Sequence, residues 1–286
     1  LKDSTQQEIV INDIFEVEVE LKIEITEKQT TKKTIQHSKF HKMTLEICAN
    51  SYQSAIQAET AGAQRVELCS ELAVGGITPS FGLLKKVMNT LSIPVHVLIR
   101  PRSGDFTYSD AEFDIMKTNI ELCKELGCAG IVSGVLHDDF TIDLKRTQEL
   151  IQLSKPLSFT FHRAFDWTPN PKKAIKEIIS LNVNRVLTSG QAIAAEKGIT
   201  LLKELKEIAN NNLIVMPGGG INPENAMLFK EHGFTEIHCS ATQSHQMIPT
   251  PKISMNSQKL LSDTHIAVSD AQKIKQLLER IQTKND

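Results

Sequence analysis

At 286 residues, with a net charge of −2 and 40% apolar residues, the chain has the composition of a globular protein, one large domain or two small ones. The charge balance gives no reason to expect nucleic acid or an acidic membrane surface as a partner, and no apolar run is long enough to cross a bilayer. Five cysteines, an odd number without a C-x-x-C pair, argue against a disulfide scaffold and for a reduced, cytoplasmic setting with free thiols.

In chain order, residues 1–43 stand apart as an N-terminal extension, non-native or disordered. The start lacks the pattern of a secretory signal. Phe15–Ile25 alternates apolar and charged residues, the pattern of an amphipathic strand with one wet face. It is flanked by Gln-, Thr- and Lys-rich stretches without an evident partner strand, and Met43 is suited to a natural start. A strand used in oligomer contacts is the alternative reading of this leader.

From Thr44 to the end, a single barrel domain is expected. Four segments, GAQRVELCS from Gly62, GCAGIVSG from Gly127, NVNRVLTSG from Asn182 and GFTEIHCSA from Gly233, share a helix end, a turn and a short apolar strand. Their spacing is that of a repeated supersecondary unit. The Gly or Asn opening each suits the left-handed residue after a helix. Between them lie TLEIC, PVHVLIR, LSFTFHR and LIVMP. Ser109 and Glu112 predict a capping box on a helix running to Leu126, and Ser269 with Gln272 predicts the start of a last helix reaching Ile281. Eight strands alternating with helices read as an α/β protein, a (β/α)8 TIM-type barrel. An open doubly wound sheet is the alternative.

Working residues of such barrels sit at the C-terminal ends of the strands, and alternation sorts each strand's faces. Val66 and Leu68 face outward, so Glu67 and Cys69 face inward; likewise Glu46 with Cys48, Leu98 with Arg100, Thr160 with His162, and His238 with Ser240. With Ser189 these make up the polar mouth of the barrel. Cys48, Cys69 and His238 fall on three adjacent strands, because closure places the first strand between the second and the eighth. Two thiolates, with or without an imidazole, suit Cu(I), whereas structural zinc wants four ligands on close spacings. Plain packing of small apolar thiols stays open for Cys48 and Cys69 and is preferred for Cys123, Cys128 and Cys239.

Three further motifs carry candidate chemistry. Arg100 and Arg102, in RPRSGDFTYSD, offer guanidinium forks for a carboxylate or phosphate. An internal salt-bridge network with Glu46 and Glu67 is the structural alternative, and Asp105 is placed to pair with an arginine. His162, Arg163 and Asp166 end the fifth strand, where a His near a carboxylate suits acid–base work. Gly218, Gly219 and Gly220 follow the seventh strand, where backbone N–H groups can close on an anion, although tight turns also need glycine.

Together, LEIC, RVELCS with GGITPS, IRPRSGDFTYSD, FTFHRAFD, RVLTSGQ, MPGGGI and EIHCSA, in this order from Thr44 to Ile281, resemble the CutC family of copper homeostasis proteins. The segment Gln243–Val268 is similar to the longer tail of animal members. The resemblance implies a TIM-type barrel, a cytoplasmic location shared in some members with the nucleus, a homo-oligomer, and Cu(I) ligands at Cys48 and Cys69. It leaves open an enzyme acting on a small anionic substrate, with Glu46, Glu67, His162 or Asp166 in acid–base roles and Arg100, Arg102 and Gly218–Gly220 holding the anion.

Overall fold

The computed structural model describes residues 43–249, 252–254 and 262–282; residues 1–42, with the strand expected over 15–25, lie outside them. Each of the eight expected segments forms a strand: β1 (Thr44–Ala49), β2 (Arg65–Leu68), β3 (Val95–Leu98), β4 (Gly130–Ser133), β5 (Ser158–Phe161), β6 (Arg185–Thr188), β7 (Ile214–Pro217) and β8 (Glu236–Cys239). They pair in parallel in the order β7-β6-β5-β4-β3-β2-β1-β8, and a parallel bridge between Gly218 and His238 closes the ring. The helices are α1 (Tyr52–Ala61), α2 (Phe81–Met88), α3 (Asp110–Glu125), α4 (Leu144–Ser154), α5 (Pro171–Ser180), α6 (Ile199–Ala209), α7 (Ala226–Glu231) and α8 (Ala271–Gln282). None of the described helices is long and apolar enough to cross a membrane.

The local signals work as their chemistry dictates. Gly62, Gly127, Asn182 and Gly233 all adopt positive φ and turn the chain from helix into strand. Ser109 and Glu112 form the capping box of α3. The last helix is capped one residue later than expected: the Asp270 carboxylate accepts the N–H of Lys273, while Ser269 gives its own N–H to the Ser54 hydroxyl.

The outward face of the strands packs against the helices in one apolar layer, which includes Ile47, Val66, Val97, Ile131, Phe159 and Ile237. Cys123, Cys128 and Cys239 lie in this layer, as packing predicts. After β8 comes an antiparallel hairpin, β9 (Thr242–Gln246) and β10 (His265–Ser269). Its polar β9 sequence, TQSHQ, has no apolar face to announce a strand.

Candidate functional site

Barrel interiors are ordinarily filled by branched apolar side chains; this one is filled largely by charge. Register places Glu46 opposite Arg65 on one side and His238 on the other. Arg65 Nε donates to Glu46 at 2.5 Å, and its Nη2 donates to Glu236. Arg185 joins the same Glu236 oxygen at 3.1 Å and reaches Ser158 at 2.7 Å. These inward carboxylates therefore take Arg65 and Arg185 as partners, not Arg100 or Arg102. The reason is register: Arg65 and Arg185 begin strands inside the barrel, whereas Arg100 and Arg102 follow the end of β3.

His238 links this network to the strand ends. Its Nδ1 lies 2.7 Å from Glu46 and its Nε2 3.5 Å from Glu67. Burial alone would lower its pKa, but the charge of Glu67 and the hydrogen bond to Glu46 prevail and raise it. Burial opposes ionisation of Glu46 too, yet the His238 hydrogen bond and the Arg65 charge hold that carboxyl far below its usual range. Glu67 behaves oppositely: burial, helped by repulsion from Glu46, pushes it up against the pull of His238. His96, on the inward face of β3, stays neutral because burial lowers it to about 3; a Cβ at Gly130 would come within 2.6 Å of its ring.

Above this layer a cavity of about 240 Å³ opens at the strand ends, lined by Cys48, Glu67, Arg100, His162, Arg163 and His238 among others. A larger groove of about 800 Å³ runs between α3 and α4, but its charges are surface pairs such as Lys117–Glu149, away from the strand ends. Cys48 Sγ lies 3.6 Å from Cys69 Sγ. Cys69 is fully buried, packed with Cys48, Leu98 and Val132. A sulfur of Cys48, a carboxylate oxygen of Glu67 and a ring nitrogen of His238 lie within 4.8 Å of one another. The Cys69 contact, then burial and the charge of Glu67, push the Cys48 thiol well up. The donor set fits a soft cation: two thiols in contact, an imidazole within reach, and a carboxylate that adds charge more than softness.

The side of the cavity built after β3 and β5 has different chemistry. Arg100 is buried and donates to the carbonyls of Val74, Gly76 and Gly104 at 2.6–2.9 Å. His162 is neutral, lowered to about 3 by burial and then by the charge of Arg100. Arg163 donates to Asp166 at 2.8 Å and to Ser189 at 2.9 Å.

Three expected site residues are placed differently. Arg102 turns outward to Asp105 and Glu112 and is not among the cavity's lining residues, because the loop beyond Gly104 brings Asp105, and the first turn of α3 brings Glu112, to its guanidinium. Asp166 accepts from Thr188, Ser189, Gln191 and Arg163, which ties Arg163 to the loops after β5 and β6. Gly218 bonds back to Thr188, and a Cβ there would meet Leu187 at 2.5 Å, so packing requires this glycine, while Gly219 and Gly220 do line the cavity. Arg65, Arg185, Glu236 and His96 went unassigned in the sequence; alternation carried back along each strand from Glu67, His238 and Arg100 places Arg65, Glu236 and His96 on the inward face.

Eight parallel strands closed with helices outside them, and a polar cavity at their C-terminal ends, define a TIM-type (β/α)8-barrel protein. The chain belongs to the CutC family, which matches residues 43–243. It is 42% identical over 237 residues to the Homo sapiens copper homeostasis protein cutC homolog, covering 82% of this chain and 87% of the relative. It is 48% identical over 198 residues to a family protein CutC of Chromobacterium violaceum, covering 69% and 80%. The crystal structure of CutC from Streptococcus agalactiae superimposes with a TM-score of 0.66 at 35% identity, covering 69% of this chain and 98% of that one.

Proposed function

We propose that the protein binds Cu(I) as cargo, held by the thiolates of Cys48 and Cys69 at one wall of the strand-end cavity. The observation that carries this reading is the 3.6 Å approach of the two sulfurs, with Cys48 lining the cavity. Soft thiolates select Cu(I) above harder divalent ions, and the human relative's name concerns copper homeostasis. Two metal–sulfur bonds of about 2.3 Å in a straight line would span about 4.6 Å. Sulfurs closer than this favour a bent site with room for His238 as a third ligand. All five cysteines are free and buried, which suits a reducing compartment. Because both thiols must lose protons to bind metal, affinity rises with pH.

Competition for Cu(I) against a chromogenic chelator, under reducing conditions and with the full chain, tests the proposal. Cys48→Ser with Cys69→Ser, which removes both thiolate ligands, weakens binding by more than the roughly 10–100-fold lost with a supporting partner, and Cys123→Ser, which alters only the helix layer, leaves it unchanged. Undiminished affinity in the double variant sinks the reading.

A further inference from the structure

The residues that follow β3 and β5 carry donors that a copper ion cannot use. Arg100 is 5% exposed, yet its hydrogen bonds go to neutral carbonyls, the Tyr108 hydroxyl beside it is neutral too, and its Nε has no well-aligned partner. Its guanidinium carbon lies 4.9 Å from the Phe106 ring centroid, and among the described residues no carboxylate pairs with it. A buried cation without a counter-charge is costly to keep. His162 adds a second unmet donor: its Nδ1 accepts from the N–H of Ala164 at 3.3 Å, which leaves the proton on Nε2, and Nε2 has no acceptor.

Arg163 is the third of these groups. Asp166 and Ser189 hold Nε and Nη2 and so fix the plane of the guanidinium. Its Nη1 faces Gly219, where a Cβ would come within 3.4 Å. Gly219 and Gly220 have φ of 107° and 71°, a turn that keeps side chains away from this corner of the cavity.

We propose that Arg163, Arg100 and His162 form a binding site for a small organic or inorganic oxyanion, a carboxylate or a phosphate group, independent of the thiol pair. Arg163 anchors the anion with a pre-oriented fork. Arg100 supplies the buried positive charge, and the His162 N–H gives direction. A cavity of about 240 Å³ has room for about eight waters at ~30 Å³ each, the size of a small metabolite. Glu67, which also lines the cavity, repels a second anionic group beside it, so a ligand with its charge at one end fits best.

Isothermal titration calorimetry of the full, metal-free chain with inorganic phosphate, and separately with acetate and malonate, tests this site. Saturable binding of one equivalent is expected for phosphate or for a carboxylate, and the arm that binds identifies the class. Arg163→Ala weakens it about tenfold or more, the loss of a charged hydrogen bond; Arg163→Lys restores part of it. Arg102→Ala leaves it unchanged, and because the titration uses the metal-free chain, failure here is separable from failure of the copper reading. His162→Phe, which removes the N–H at similar volume, serves as a second variant and also weakens binding. No saturable binding of any of the three anions, or equal binding by wild type, Arg163→Ala and His162→Phe, overturns the proposal.

Discussion

The two walls of the strand-end cavity differ in how completely their charges are met. On the wall built by β1, β2 and β8, the buried charges have opposite partners inside the barrel: Glu46 has Arg65 and His238, and Glu67 has His238. On the wall built after β3 and β5, Arg100 and His162 keep donor nitrogens without acceptors. A satisfied network is a support; it fixes Cys48 and Cys69 in place and needs nothing from outside. Unsatisfied buried donors point to a ligand. On the two proposals, one cavity would take a soft cation and an oxyanion on different groups, and a residue's charge alone does not say which it serves.

The contrast between the walls is broken most directly at the support. Arg65→Ala leaves Glu46 and Glu236 buried without their shared cation, and the fold loses about 3–5 kcal/mol in urea denaturation at neutral pH. A loss below about 1 kcal/mol would mean that the network is not holding the thiol wall. Acid sharpens the contrast next. His96 and His162 fall to about 3 in the fold, so the unfolded chain takes up their protons first. Stability is fully present above about pH 6.5 and is lost as pH falls toward 3, by about 1.4 kcal/mol per pH unit for each histidine. His162→Gln removes one such contribution, and denaturation midpoints followed between pH 6 and 4 show a shallower slope; an unchanged slope would mean that this histidine does not carry the acid response. The smallest effect belongs to Arg102, whose pairs lie at the surface. Arg102→Ala costs less than about 1 kcal/mol, and a larger thermal shift would restore it to a structural role at the mouth.

Much of the fold was legible because its signals are local. Left-handed Gly and Asn residues marked four of the helix-to-strand turns, and short apolar runs marked the strands. Alternation along those runs was enough to turn Cys48, Glu67, His162 and His238 inward. Less was legible where position leaves direction open. Arg102 and Arg163 each follow a strand end, but Asp105 and Glu112 draw one outward while Asp166 and Ser189 hold the other beside the cavity. Sequence also does not show how many N–H and O–H groups converge on the Asp166 carboxylate. Arg65 and Glu236 were hidden for another reason: attention to strand ends passes over strand beginnings, where the partners of Glu46 lie. The β9–β10 hairpin had no apolar alternation to reveal it.

The thiol wall, on this reading, is the wall that takes the metal. Anomalous diffraction at the copper edge, from crystals of the full chain loaded with Cu(I) under reducing conditions, tests this most directly. One strong peak is expected, bonded to both Cys48 Sγ and Cys69 Sγ, with the nearest other donor on His238. A peak at other residues, or none at the two sulfurs, would contradict it.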